Sequence, residues 1–274
     1  MTLDLTINTD VAHQILTGFI RSEVTRVGYS RAVIGLSGGI DSALSFALAV
    51  EALGNENVLA VRLPYKSSSA DSLEHAEMLV EQYEVQCETV EITDMVEPLF
   101  AIDPEMSKQR KGNIMARQRM IVLYDRSEAF KGLVIGTSNK TEILLGYSTL
   151  WGDMASALNP IGDLYKTQVR QLSLALEIPS AIIDKPPSAD LWSGQTDEGE
   201  LGFTYEEADR LLYLLVDQRY SARECIEEGF DEQFVNLVVK RVQRNQFKRM
   251  MPPIAKLSNR TIGYDFLYLR DWGT

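Results

Sequence analysis

Arg31-Ala-Val-Ile-Gly35-Leu36-Ser37-Gly38-Gly39-Ile40-Asp41-Ser42 is the stretch that decides the fold. Its first half is an apolar run of strand length, and a helical pattern follows to about Leu53. Between them, Gly38 and Gly39 let the backbone turn tightly and approach another group closely. Backbone N–H groups of such a turn, and of the first helical residues, converge on one point where the helix dipole also favours an anion. Residues 35–42 therefore read as a phosphate-binding turn at the carboxyl edge of a sheet, with Ser37 and Ser42 adding hydroxyls. The spacing and the lysine of a GxxxxGK[ST] loop are absent. Asp41 stands in the turn instead. A carboxylate beside phosphate is repulsive unless a divalent cation lies between them, which suggests Mg²⁺. The structural alternative is a tight strand-to-helix turn with Asp41 as an acidic first-turn residue.

Outward from this stretch the chain alternates. Val11, Ile15, Leu16, Phe19 and Ile20 recur at helical spacing within 10–28. Asn57–Leu63, Val85–Ile92 and Leu133–Gly136 read as further strands, with helices over 71–83, over 112–130 and directly after 136. The pattern predicts an α/β fold, a doubly wound parallel sheet of Rossmann-like type with helices on both faces. From about Asp163 it becomes mainly helical. Asp163 is placed to cap a helix over 164–176, Thr204-Tyr-Glu-Glu207 is a capping-box signature before 205–217, and a last helix spans 231–249. Lys185–Gly202, rich in Gly, Pro and Ser, reads as a long binding loop. One domain is expected, with a nucleotide-binding core over about 10–180 and a C-terminal loop and helices over about 181–274.

Composition removes whole classes of function. With 27 Lys plus Arg against 39 Asp plus Glu, the net charge of −12 argues against nucleic acid or an anionic membrane as a partner. No apolar run approaches the ~20 residues of a membrane span, and the N-terminus lacks the basic-then-apolar pattern of a signal peptide. Cys87 and Cys225 have no CxxC context, so neither a disulfide framework nor a zinc pattern is present, which suits the cytoplasm. His13 and His75 are the two histidines of the chain. Any chemistry must rest on carboxylates, Lys, Arg, backbone amides and bound metal.

Ser37–Ser42 resembles the pyrophosphatase loop of the adenine nucleotide α-hydrolase-like enzymes, and further strings narrow the resemblance to the NAD synthetase family. These are Lys111-Gly-Asn-Ile-Met-Ala-Arg117-Gln-Arg119-Met, Gly136-Thr137-Ser-Asn-Lys-Thr-Glu142, Gly146-Tyr-Ser-Thr-Leu-Trp-Gly-Asp153, Asn159-Pro-Ile-Gly-Asp-Leu-Tyr-Lys166-Thr, Pro187-Ser188-Ala-Asp190-Leu and Asp197-Glu-Gly-Glu-Leu-Gly. They stand in family order over roughly 31–252. The resemblance implies amidation of deamido-NAD to NAD through an acyl-adenylate, with ATP as co-substrate, ammonia as nitrogen donor, and AMP and pyrophosphate released. It implies that Gly35, Leu36, Ser37, Gly38, Gly39, Ile40, Asp41, Ser42, Thr137, Lys166 and Ser188 bind ATP. It further implies that Asp41 and Glu142 hold Mg²⁺, that Asp153 and Lys166 are catalytic, and that Arg117, Asp153, Phe247 and Lys248 contact deamido-NAD. Family members are homodimers with deamido-NAD near the interface, so a homodimer is implied.

The residues themselves leave plainer readings open. Glu142 can form a capping box with Asn139, Asp153 can be a solvated loop aspartate, and Arg117 can serve a surface ion pair. Lys166 opposes the dipole of its own helix unless an anion sits there. Lys240, Arg241, Arg244, Lys248 and Arg249 form either an ordinary basic face or a contact for the dinucleotide's phosphates. Leu150, Ala157, Phe247 and Ser188 depart from the family pattern, and Gly146–Met154 looks closer to the synthetase half of the glutamine-dependent branch. No glutaminase motif is present, so ammonia comes from solution or from a separate glutaminase. Two alternatives remain: another pyrophosphatase-loop adenylating amidotransferase, or a non-catalytic nucleotide-binding module.

Overall fold

A computed structural model describes residues 3–188, 190–192, 194–263 and 265; the end of the expected C-terminal segment, 266–274, lies outside the described residues. The chain opens with α1 (Thr9–Arg26), β1 (Arg31–Gly35), α2 (Ile40–Leu53), β2 (Val58–Arg62), α3 (Ala70–Tyr83) and β3 (Gln86–Thr89). It continues through α4 (Thr93–Ala101), α5 (Lys108–Phe130), β4 (Gly132–Ile135) and α6 (Lys140–Leu145). Helices α7 (Lys166–Ala175), α8 (Ser180–Ile183), α9 (Asp197–Leu201), α10 (Tyr205–Leu212), α11 (Ala222–Glu227) and α12 (Glu232–Arg244) complete it.

The strands form one parallel sheet in the order β3-β2-β1-β4. Ala32 is in register with Val58 on one side and Leu133 on the other. The chain builds outward from β1 through β2 to β3, then crosses back to place β4 on β1's other side. The strand order therefore reverses beside β1, and the turns leaving β1 and β4 diverge over a crevice at their carboxyl ends. Central strand β1 reads as a near-continuous apolar run because both its faces are covered: Ala32, Val33 and Ile34 are completely buried.

Helix α2 is apolar nearly all round and is buried accordingly, with Ala43, Leu44, Phe46, Ala47, Leu48 and Ala49 inaccessible to solvent. It packs against the sheet with α1 and α7. A second apolar cluster is built by α10–α12 around Leu211, Leu212, Cys225, Val235 and Val238, and it reaches back to Leu145 and Tyr165. That contact joins the C-terminal helices to the ends of α6 and α7.

Several details differ from the sequence reading: α8 and α11 have no counterpart in it, and α9 lies inside the segment read as a long loop. Asp163 does not cap α7: Tyr165 holds that position, and Asp163 is swung into solvent, 3.0 Å from Lys140. Helix α4 was not foreseen, because Pro98 lies inside it and interrupts the helical signal. The last helix ends at Arg244, followed by a short 3₁₀ turn over Gln246–Arg249. The Thr204 capping box forms as expected: Thr204 accepts from the Glu207 N–H, and Glu207 accepts from the Thr204 N–H at 3.0 Å.

The β1–α2 turn has one position that only glycine fills. Gly38 has φ +75°, and a Cβ there would lie 2.1 Å from the carbonyl oxygen of Ser72 in the first turn of α3. Gly39, at φ −93°, would bring its Cβ no closer than 3.5 Å to Ser37 Oγ. Gly38→Ala is therefore expected to cost more than about 2 kcal/mol in urea unfolding. Gly39→Ala should cost no more than about 1 kcal/mol. Equal costs at the two positions would contradict this reading of the turn.

Candidate active site

The first turn of α2 and the first turn of α6 face each other across the reversal point of the sheet. Within the β1–α2 turn the serines lock the loop on itself. Ser42 Oγ donates to Gly39 O at 2.9 Å and lies 3.0 Å from Ser37 Oγ, and Gly39 N–H donates to Ser37 Oγ at 3.4 Å. Ser42 is buried, and its hydroxyl is bonded within the loop.

Asp41 projects from the first turn of α2 and Glu142 from the first turn of α6, and Lys166 at the start of α7 pairs with both. Its Nζ contacts Asp41 and lies 3.1 Å from Glu142 Oε1. Asn139 ties the two turns together: its Oδ1 accepts from the Glu142 N–H at 2.9 Å, and its Nδ2 donates to Asp41 Oδ1 at 2.8 Å. Asn139 thus caps α6, but the reciprocal half of a capping box is absent, because the Glu142 side chain pairs with Lys166. Lys166 is only 8% exposed, and Tyr205 presents its ring 5.1 Å from the ammonium.

A third carboxylate closes the group. Asp197, at the start of α9, is buried; Tyr205 OH donates to its Oδ2 at 3.0 Å, and Tyr147 OH lies 3.1 Å from its Oδ1. Burial pushes the Glu142 carboxyl up to about 8 against the pull of Lys166, with Asp41 and Asp197 adding repulsion. Burial also raises Asp197. For Lys166 burial works the other way, but Asp41 and Glu142 outweigh it and hold the ammonium above its ordinary range. One buried cation thus faces three carboxylates, and the group carries more negative charge than it neutralises.

These residues line a cleft of about 660 Å³, within the usual size of small-molecule sites. Gly35, Leu36, Ser37, Gly39, Ile40, Asp41, Ser42, Thr137, Glu142, Asp153, Lys166, Ser188 and Lys248 all reach its wall. Gly38 is turned toward Ser72, away from the opening. Asp153 accepts from the Thr149 N–H at 2.6 Å; the protein around it raises its carboxyl, although its surface stays open to the cleft. Arg117 and Phe247 do not line this cleft. Arg117 is exposed and donates to Leu150 O at 3.2 Å, and Phe247 is 60% exposed.

The C-terminal cations divide by what they touch. Arg249 donates to Ile143 O and Leu144 O, Arg241 and Asn245 to Leu145 O, and Lys248 to Gly146 O and Ser148 O. Together they cap the open carbonyls at the C-terminus of α6, where positive charge is favoured. Gly146, at φ +64°, lets Asn245 in, since a Cβ there would lie 2.3 Å from that side chain. Lys240 and Arg244 remain exposed.

Four residues of the site had not been singled out: Asp197, Tyr205, Asp209 and Arg119. Asp197 and Arg119 stood in quoted strings, and Tyr205 and Asp209 belong to the helix after the Thr204 capping box. Arg119 lines the cleft, donates its Nε to Leu63 O at 2.9 Å, and has no ion-pair partner among the described residues. Burial lowers its pKa.

The raised Glu142 carboxyl has a consequence for stability. The folded protein holds this proton more tightly than the unfolded chain, so stability falls as pH rises from 4.5, where an unfolded glutamate ionises, to about 8. Glu142→Gln removes that penalty while Asp41 still pairs with Lys166. Without nucleotide, Glu142→Gln is expected to melt above wild type at pH values beyond 8, with the gap closing as the pH is lowered to 4.5. A gap that does not change with pH would contradict the assignment.

The chain is similar to known proteins along nearly its whole length. The NAD synthase family model matches residues 12–252. The NH(3)-dependent NAD(+) synthetase of Trichlorobacter lovleyi is 56% identical over 98% of both chains, and that of Chlorobaculum tepidum is 56% identical over 94% of this chain and 93% of its own length. Among solved structures, NMN synthetase from Francisella tularensis superposes with a TM-score of 0.81 at 31% identity, covering 91% of this chain and 99% of its own. NH3-dependent NAD synthetase from Campylobacter jejuni does so with 0.79 at 33% identity, covering 92% and 100%. With a family model matched over most of its residues and relatives similar along nearly its whole length, the chain belongs to the NAD synthase family.

Proposed function

We propose that the chain converts deamido-NAD to NAD at the cleft between the β1–α2 and β4–α6 turns, using ATP and ammonia. The observation that carries this reading is Lys166 held between Asp41 and Glu142 at the mouth of an anion-binding turn. A carboxylate is a poor electrophile, so the nicotinate oxygen first attacks the α-phosphorus of ATP; the α–β phosphoanhydride bond breaks and pyrophosphate leaves. Ammonia then attacks the acyl carbon, AMP departs, and the surplus proton passes to a base.

Each step has a residue suited to it. Backbone N–H groups of residues 37–42 orient the phosphates, and Lys166 offsets the charge that grows on the departing pyrophosphate. Thr137 and Ser188 line the same wall and offer hydroxyls to ATP. Asp153 accepts the proton from ammonium, and its raised carboxyl makes it a better base than an ordinary aspartate. Ser148, whose buried hydroxyl has no partner among the described residues, lies in the same wall.

The donor set fits Mg²⁺. Among the described residues no three His, Cys, Asp or Glu side chains form a ready-made metal cage. Mg²⁺ is typically held by one or two carboxylates together with substrate phosphates. Asp41 and Glu142 are two such carboxylates in a group with excess negative charge, and they would hold it. There Mg²⁺ supplies neutralisation of phosphate charge.

A homodimer is part of this reading. Arg117, Ile121 and Tyr124 follow one another on a single exposed face of α5, with Trp151 and Met95 also exposed. Arg117 and Phe247, outside the cleft of one chain, would meet deamido-NAD where a second copy covers that face. Elution as a monomer in light scattering would remove those two residues from the substrate site. No helix among the described residues is long and apolar enough to cross a membrane.

The test is an end-point assay with ATP, Mg²⁺ and deamido-NAD, with and without ammonium, following NAD, AMP and pyrophosphate together. NAD and AMP in equal amounts, only with ammonium, are the expected result. Pyrophosphate without NAD would point to a missing glutaminase partner. Because one structural relative is an NMN synthetase, the nicotinate mononucleotide is run in parallel, and a preference for it would redefine the substrate. Asp41→Ala is expected to retain its fold by circular dichroism and to lose NAD formation at least ~100-fold; near-normal turnover would defeat the role given to Asp41.

A further inference from the structure

Lys166 sits at the first position of α7, where a positive charge opposes the helix dipole and the backbone N–H groups lack intrahelical partners. Both problems are met from outside α7. The Lys166 N–H donates to Thr141 Oγ1 at 3.0 Å, and the Thr167 N–H donates to Asp209 Oδ2 at 2.8 Å. The Thr141 hydroxyl in turn donates to Asp209 Oδ1 at 2.5 Å. Asp209 and Thr141 are both completely buried.

This small circuit joins three helices. Asp209 comes from α10, Thr141 from the first turn of α6, and the two amides from the first turn of α7. Thr141 is the immediate neighbour of Glu142, and Lys166 is itself one of the two amide donors. The circuit therefore fixes the start of α7 relative to the start of α6, which is the geometry that places the Lys166 ammonium 3.1 Å from Glu142. A buried carboxylate is costly unless its oxygens are satisfied, and burial does raise the Asp209 carboxyl above its ordinary range.

We propose that Asp209 is a positioning residue: through Thr141 and the Thr167 amide it sets Lys166 and Glu142 in reacting register while touching no substrate itself. The negative end it supplies to α7 replaces the acidic first-turn residue that α7 lacks. It also gives α10 a second route to the site, beside Tyr205 at its first position.

The kinetic consequence rests on the ligase reading; the joint itself does not, and the two are measured separately. Asp209→Asn keeps shape but loses one acceptor, and Thr141→Val removes the relaying hydroxyl. In each, kcat is expected to fall roughly 10- to 100-fold, while KM for ATP and for deamido-NAD stays within about threefold, as expected when positioning rather than binding is lost. Thr141→Ser should recover most of the rate, and the double variant should be no slower than the slower single one. Hydrogen exchange of the amides at 166 and 167 should quicken in both single variants. If melting temperature drops while kcat per folded site stays at the wild-type value, Asp209 is merely structural and the proposal is overturned. Unchanged exchange at the start of α7 overturns it equally. Should Asp209→Asn fail to fold, Thr141→Val carries the same two readouts. A wild-type protein that forms no NAD would sink the ligase reading, whereas the exchange measurement would still decide the joint.

Discussion

The ammonium of Lys166, buried between Asp41 and Glu142, is the contact on which the cleft depends. Each of its two carboxylates starts a helix that leaves a different strand, so the ion pair spans the point where the sheet changes direction. Without a cation between them, two carboxylates brought together in so dry a place would repel and the turns would part. Asn139 makes the same connection with a neutral group, accepting from the Glu142 amide and donating to Asp41. Charge and hydrogen bonding thus pull the two turns to one separation, and the backbone amides of residues 37–42 inherit that separation.

Helix α6 is only six residues long, too short to be stable by itself. It persists because both ends are held from elsewhere. Its N-terminus is capped by Asn139, and Thr141 in its first turn reaches Asp209. Its C-terminal carbonyls accept from Arg241, Asn245, Lys248 and Arg249, delivered by α12 and the turn after it. Buried residues Leu145 and Tyr165 add apolar contact with the cluster of α10–α12. The helical C-terminal part is therefore the clamp for the element that carries Glu142, and a good share of its positive charge is consumed in that task.

Much of this was legible in the sequence, and the reasons differ by residue. Strand and helix positions followed from period and length, and the turn at residues 36–42 announced itself by glycines and an aspartate where no helix or strand would place them. Glu142 and Lys166 were legible once the order of strings was seen. Asp209 was not, because a lone aspartate inside an amphipathic helix looks like any solvent-facing residue; only the fold shows it turned inward onto Thr141 and the Thr167 amide. Asp163 misled for a related reason. It is a good cap by composition, but Lys140 draws it outward and Tyr165 takes the position. The basic run 240–249 invited a phosphate because charge in a sequence carries no address. Arg241, Lys248 and Arg249 meet carbonyls at and just past the end of α6, far upstream in the chain, while Lys240 and Arg244 stay exposed.

The three carboxylates around one ammonium also explain why the site is built at the expense of stability. Asp41, Glu142 and Asp197 are each bonded, yet their summed charge exceeds that of Lys166; burial above all, with repulsion from Asp41 and Asp197 added, pushes the Glu142 carboxyl up to about 8. A fold selected only to persist would replace one of these acids by its amide. The tyrosines show how the imbalance is contained. Tyr147 and Tyr205 keep Asp197 hydrogen-bonded at 3.1 and 3.0 Å without adding positive charge, so the deficit is held in place and not cancelled. A site with its charge already balanced would gain little from a phosphate-bound cation. One that folds with negative charge to spare has a reason to bind it, and the second cluster under α10–α12 supplies the rigidity that lets the imbalance stand.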